Sequence, residues 1–343
     1  MNSTERLGAL MRGERPDVVP LFCILLDQGA SELNLLPAEY YVRGQTVAEG
    51  QARLRRKYGH DLLWGSFHAS FEAQLLGCQR LAYPDIGPPM VDHFVLDTKA
   101  AIERFTAPRD LEAHPLWAQQ KECLSALRAE FGGQCPIAAM VVGSLTLPSL
   151  LCGMDRWLEL LLFGPATLRD HLISQCRQFV RDRIAMLRRS GVDLIAYVSS
   201  CATSTFLDLP RWRSVALPSI VADLDGVDTS NLVYFNGGGR IGPTLPDLLA
   251  HTTLRMFTLH PVDDVVSAKM LSAGRATVVG SVNDATFVLA SPEEVEKEVA
   301  RVLDQGMPGG GFGLGTPVLP SDIPERNIRA LVESARRLGQ YSD

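Results

Sequence analysis

The chain has 343 residues, 46% hydrophobic and 21% charged, with a formal net charge of -6, so it can bury a full core. The acidic balance excludes a phosphate-backbone partner, which needs clustered Lys and Arg; Arg53, Arg55, Arg56 and Lys57 read as a solvated helix face. Seven cysteines lie at least twelve positions apart (23, 78, 123, 135, 152, 176 and 201), which excludes Cys-x-x-Cys sites and predicts free thiols in a reducing cytoplasm. Residues 1–17, "MNSTERLGALMRGERPD", have no apolar h-region and read as an N-terminal extension rather than an export signal. Apolar runs follow at 18–26 ("VVPLFCILL") and 61–66 ("DLLWGS"). A long excursion, 67–135, contains "AYPDIGPPM" and a helix near 116–131. Further runs stand at 136–144, 193–200, 231–237 ("NLVYFNG"), 254–260 and 276–282. The helix "SPEEVEKEVARVLDQG" carries Ser291 as N-cap, Pro292 at its first position, Glu294 completing a capping box and Gly306 at its close. A last run, "GGFGLGT", spans 310–316. The apolar stretch 136–154 is broken by Gly143, Ser144, Thr146 and Pro148, which suits a buried strand and its loop better than a membrane span.

Eight near-continuous apolar runs separated by amphipathic stretches predict a parallel sheet with crossover helices, closed as a single-domain α/β fold, a (β/α)8 TIM barrel over 1–343. In such barrels the chemistry lies at the C-terminal ends of the strands. The candidates there are Asp27 with Gln28, Ser66, His68, Ser144, Tyr197, Ser199, Ser200, Cys201, Asn236, Gly238, Arg240, His260, Asn283 and Thr316. Asp27 at the end of the first run is a general acid or substrate anchor. Asn236 both donates and accepts, so it suits a neutral amide or heterocycle; the alternative is an Asn that accommodates an unusual backbone before three glycines. Tyr197 completes the catalytic set, with the remaining residues lining the substrate pocket. Arg240 meets either an anion or solvent. His68 and Glu72, four apart, could join Cys201 or His260 around a metal, but a hydrogen-bonded structural His explains His68 better.

The order of "ERLGALMRGERPDVVP", "RRKYGHDLLW", "EAQLLGCQ", "GSLTLPSLLCG", "GVDLIAYVSS", "SPEEVEKEVARVLD" and "LPSDIPERNIRALVESAR" resembles the uroporphyrinogen decarboxylase superfamily over nearly the whole chain. "EAQLLGCQ" and the leucine-rich loop after the third run look nearer its corrinoid-linked methyltransferases. That branch usually holds zinc on a His-x-Cys after the fifth strand and a Cys after the eighth; the matching positions here are Asn236, Gly238 and Thr316, so no zinc is expected there. The decarboxylase arginines should fall in "LFCILLDQGASEL", which contains none; its acid would match near Ser66 and its tyrosine near Ser149 or Leu150. The resemblance therefore implies a cytoplasmic methyltransferase for a non-thiol substrate or methyl carrier, with a corrinoid protein as partner, and a homodimer. The alternatives are a lyase decarboxylating a smaller acid and a ligand-binding protein without catalysis.

Overall fold

The computed structural model describes residues 1–65, 67–84 and 87–341. All eight expected runs are strands: β1 (Leu21–Ile24), β2 (Leu63–Trp64), β3 (Ile137–Val142), β4 (Leu194–Val198), β5 (Leu232–Phe235), β6 (Met256–Thr258), β7 (Thr277–Ser281) and β8 (Phe312–Val318). They form one parallel sheet in the order β1-β8-β7-β6-β5-β4-β3-β2. Helices follow the strands around the outside, as right-handed crossovers between neighbouring parallel strands require. The architecture is a (β/α)8 barrel in one domain.

The pleat divides each strand between two cores. Phe22, Ile24, Trp64, Ala138, Leu194, Ala196, Val233, Phe235, Met256 and Val279 meet in the lumen, while their neighbours Cys23, Leu63, Ala139, Ile195, Tyr197, Tyr234, Phe257 and Val278 pack under the helices. Alternation with period two produces this split. Large residues interleave with small ones; a Cβ on Gly315 would lie 2.7 Å from Val279 Cγ1. The filled lumen leaves a void of only about 30 Å³, so it is a packed core and not a channel. Residues 1–17 close its lower end: Leu7 and Leu10, from the helix Ser3–Met11, join the lumen cluster.

Seven of the eight seams are backbone ladders; between β1 and β2 one backbone bond is supplemented by side chains. Leu21 N donates to Asp61 Oδ2 (2.8 Å) and Asp61 N to Leu21 O (2.8 Å). The Trp64 indole donates to Cys23 O (2.9 Å). Gln51, from the helix Gly44–Tyr58, donates to Leu25 O (2.7 Å) and accepts from Trp64 N (3.1 Å). A two-residue β2 cannot satisfy β1 alone, so a buried amide with one donor and one acceptor end substitutes for a ladder rung. Of the expected basic face on the same helix, Arg53 pairs with Glu49, Arg56 with Glu130 and Lys57 with Glu32 and Glu325, while Arg55 turns inward and donates to His60 O and Ser3 Oγ.

The excursion 67–135 contains the helices Phe71–Leu75, Lys99–Arg104 and Pro115–Phe131 and the pairing of Leu81–Ala82 with Met90–Val91. The helix Pro292–Gly306 begins with the expected capping box from Ser291 and Glu294. Among the described residues no helix is long and apolar enough to cross a membrane.

Replacing Gln51 by Leu would leave Leu25 O and Trp64 N buried and unpaired, at a combined cost of about 2–4 kcal/mol. Urea denaturation of Gln51→Leu should show that loss; a cost under ~0.5 kcal/mol would mean that the seam is held by Asp61 and Trp64 alone.

Candidate functional site

At the C-terminal end of the barrel the last inward residues are Met140 and Val198, both half-buried, then Phe235 and Thr258. None of the residues lining the lumen is charged. Polar side chains reach this end from the loops above and, beside it, from the helices that carry Glu72, Gln120 and Arg183.

On one side, Asp27, three residues past β1 and at the start of the helix Gln28–Leu33, is almost buried, at 7% exposure. Its Oδ1 accepts from Tyr41 Oη at 2.5 Å. Burial pushes the Asp27 carboxyl above its ordinary value, and the Tyr41 bond opposes that rise. The Tyr41 ring meets the His68 ring edge-on, centroids 5.0 Å apart. His68 is buried, its Nδ1 has no partner among the described residues, and burial lowers it to about 3. It is therefore a neutral imidazole throughout the physiological range. Asp27 and His68 are thus brought together by Tyr41, which the sequence reading missed; nothing in "PAEYYVRG" marks it, because it arrives on a loop and not at a strand end.

Behind His68 lies a buried ionic network. Glu72 Oε2 accepts from Val142 N (2.7 Å), and Oε1 faces Arg183 Nε at 3.4 Å. Arg183, fully buried, donates from Nη2 to Gln120 Oε1 (2.7 Å), and Gln120 Nε2 donates to Gly65 O (3.0 Å). The guanidinium also lies over the Trp117 ring, 5.0 Å from its centroid, an arrangement that partly offsets its desolvation. Burial raises the Glu72 carboxyl to about 7, against the pull of Arg183. Arg183 was legible in principle: it occupies the buried face of the helix Ala166–Arg189 with Phe179, Val180, Ile184 and Leu187, where an unpaired arginine is untenable.

The other expected residues divide differently. Tyr197 points into the outer core, where its hydroxyl donates to Asp223 Oδ2 (2.6 Å); the same carboxylate accepts from Ser144 N (2.9 Å). Ser199 is buried and its backbone N donates to Phe235 O. Asn236 continues the outward face of Tyr234, and its Nδ2 donates to Arg240 O (2.9 Å) while Oδ1 accepts from Tyr234 Oη (3.3 Å). Tyr197 and Asn236, expected beside Asp27 on the ligand, are instead engaged in the wall: a strand end exposes only every second side chain to the mouth. Gly237 has φ 61, and a Cβ there would lie 2.1 Å from Ser200 Oγ, so the turn demands glycine on both counts. Gly238 faces open space. Arg240 is half-exposed and pairs with Asp263 at 3.5 Å. Asp263 also accepts from the backbone of Ile241, Gly242 and His260 (2.9, 3.1 and 3.0 Å). His260 Nδ1 accepts from Val262 N (3.2 Å), and Asn283 N donates to Glu298 Oε1 (2.9 Å). Thr316 Oγ1 accepts from Ile24 N (3.0 Å) where the β1–β8 register shifts. Burial raises the Cys201 thiol to about 11, which leaves it inert as a nucleophile. Ser66 lies outside the described residues.

The zinc expected of the methyltransferase branch does not fit this donor set. Asn236 has spent its amide on protein groups, Gly238 has no side chain, and Thr316 is a hydroxyl committed to Ile24; none supplies a thiolate or imidazole. Among the described residues no three His, Cys, Asp or Glu gather as metal ligands, so His68, Glu72, Cys201 and His260 do not combine into an alternative site.

Because Glu72 holds its proton more tightly folded than unfolded, its contribution to stability is full below pH 4.5 and is lost as pH rises through about 7. Glu72→Gln should flatten that dependence, removing on the order of 3 kcal/mol of variation between those limits. Denaturant titrations of both proteins from pH 5 to 8 measure it; parallel curves would refute the burial-dominated carboxyl.

No curated protein sequence gives a match. Among solved structures, a methyltransferase from Methanosarcina mazei superposes with a TM-score of 0.82 at 17% identity, covering 98% of this chain and 99% of that one. A B12-independent methionine synthase from Shewanella sp. W3-18-1 gives 0.56 at 13% identity, with 86% of each chain covered. At these identities the likenesses establish the fold. The family model for uroporphyrinogen decarboxylase (URO-D) matches residues 2–338, and the chain belongs to that family.

Proposed function

We propose that this protein is a methyltransferase-type enzyme acting on a small, uncharged O- or N-methyl compound, with the methyl group passed to a corrinoid carried by a partner protein. The observation that carries this reading is the lining of the mouth. Met140, Val198, Phe235 and Thr258 offer contact to an apolar group, the lumen lining has no guanidinium, and Arg183, in the cavity beside the mouth, is already paired with Glu72, which leaves no free counterion for the carboxylates of a tetrapyrrole. Several unpaired carboxylates would each cost several kcal/mol of desolvation in such a site. The thiol-activating zinc set is also missing at Asn236, Gly238 and Thr316, which favours a substrate other than a thiol.

Asp27 supplies the acid. Asp27 gives its proton to the substrate oxygen or nitrogen as the bond from that atom to the methyl carbon breaks. A corrinoid, when docked, supplies the methyl-accepting centre. Tyr41 orients the carboxyl through its 2.5 Å bond, and neutral His68 flanks it without adding charge. General-acid assistance of this kind is worth roughly 10²–10⁴-fold in rate.

The same apolar lining favours loss of CO2 from a monocarboxylic acid, since desolvation destabilises the carboxylate and not the neutral product. Turnover distinguishes the two. A panel of O- and N-methyl compounds with a corrinoid protein, followed by cobalamin absorbance, should show methyl transfer that Asp27→Asn lowers by about 10²-fold or more. Release of CO2 without any corrinoid change establishes the lyase instead, and a thermal shift with neither product indicates a binding protein.

The pH profile tests the role of Asp27 separately. The acid must be protonated, so kcat/KM should fall as pH rises through its raised pKa. Tyr41→Phe removes the bond that lowers that pKa, so the falling limb should move to higher pH. A limb that stays in place or moves down removes Tyr41 from the site.

A further inference from the structure

Beside the mouth, under the ends of β2 and β3, the structure contains a cavity of about 40 Å³. Met140 and Val198 separate it from the lumen, and His68, Glu72, Gln120 and Arg183 supply its polar walls. That volume suits about two or three waters, or a ligand group of similar size.

Its hydrogen-bond account does not close. Both Glu72 oxygens are engaged, one with Val142 N and one with Arg183. Gln120 is used at both ends, by Arg183 and by Gly65 O. Arg183 Nη1 has no partner among the described residues, although the side chain is fully buried. His68 Nδ1, on the same wall, is likewise unpartnered. A guanidinium N–H left bare in a dry site costs more than an ordinary unmade hydrogen bond. The cavity therefore has, at Arg183 Nη1, donor capacity that Glu72 and Gln120 do not meet, and a group that pairs with it must bring an acceptor.

The charge balance narrows the choice. Glu72 compensates Arg183, so with both ionised the walls carry no net charge for an anion. A carboxylate entering would give up its hydration without a free counterion, whereas a neutral oxygen gives up much less.

We propose that this cavity is an oxygen-binding subsite: Arg183 Nη1 donates to the carbonyl, amide or ether oxygen of the substrate, whose apolar part remains in the mouth against Met140 and Val198. The assignment rests on the reading of the substrate as a small uncharged compound and names the group that anchors it. Arg183 is then a binding residue that reaches the ligand from the helix layer, between two strand ends.

The test needs no turnover. Protein labelled with 15N-arginine is titrated with acetamide at pH 8, where Glu72 is ionised, and the Arg183 side-chain resonances are followed by NMR. The double variant Arg183→Met/Glu72→Gln identifies those resonances by their loss while removing both charges together. Acetamide should shift them saturably. Val198→Phe, which enlarges a side chain standing between the mouth and the cavity, should weaken that binding at least tenfold while the Arg183 resonances themselves persist. Acetate should bind at least tenfold more weakly than acetamide. An Arg183 signal that no probe moves means the cavity holds water only and overturns the proposal; so does acetate binding as tightly as acetamide, or a response unchanged in Val198→Phe. Acetamide binding without methyl transfer in the turnover assay would leave the subsite standing and remove the methyltransferase reading, and the reverse result would do the opposite.

Discussion

The pleat of the eight strands governs what this barrel can present at its mouth. Successive side chains alternate between lumen and helix layer, so each strand sends only one residue of any neighbouring pair toward a ligand. Phe235 and Val198 take the inward places at the ends of β5 and β4. Tyr197, Tyr234 and Asn236 then have to face outward, where their polar atoms find partners in Asp223 and the Arg240 carbonyl. A mouth lined by apolar strand ends follows directly, and acid–base groups have to come from loops. Asp27, Tyr41 and His68 do so.

A second constraint is the short β2. Two residues cannot complete a ladder with β1, so Gln51, Asp61 and the Trp64 indole pair the exposed backbone groups. Asp61 has to remain ionised for this. Burial opposes that, yet Arg336 and Ser3 hold its carboxyl below the usual range. The seam thus depends on polar groups from the first and last helices, linking both ends of the chain to the strand that precedes Asp27. One residue, Leu26, separates Leu25, whose carbonyl Gln51 holds, from Asp27, so the amide that closes the barrel also fixes the backbone next to the candidate acid.

The fold was legible because its signals are local: eight apolar runs, loop glycines, and the Ser291–Glu294 capping box can all be read within a few residues. The site was legible only in outline. Strand ends were identified, but which face each residue takes depends on register, and the continuous hydrophobicity of doubly buried strands hides the period of two. Tyr197 and Asn236 stand where the sequence places ligand contacts, and their polar atoms bond to Asp223, Tyr234 and the Arg240 carbonyl. Tyr41 and Arg183 come from a loop and a helix far away in sequence, and only tertiary contact places them near His68. Asp27 and His68 stood at predicted positions, yet their joining through Tyr41 could not be read from spacing.

The positions that resemble a family metal site illustrate how one architecture tolerates different chemistry. A zinc ion bound by residues after the fifth and eighth strands would tie those loops to a common centre. In this chain each loop is tied separately. Asn236 closes the glycine turn onto Arg240 O, while Thr316 fills the β1–β8 irregularity by accepting from Ile24 N. Asp263 gathers three backbone N–H groups from two loops. Such bonds to a buried carboxylate are among the stronger neutral-donor interactions, worth about 1.5–3 kcal/mol apiece, and they hold backbone without requiring thiolates. The consequence is chemical as well as structural. With the loops already anchored by amide, hydroxyl and carboxylate groups, these positions need no thiolates to hold their backbone, and the proposed chemistry draws instead on Asp27, Tyr41 and the Arg183 cavity.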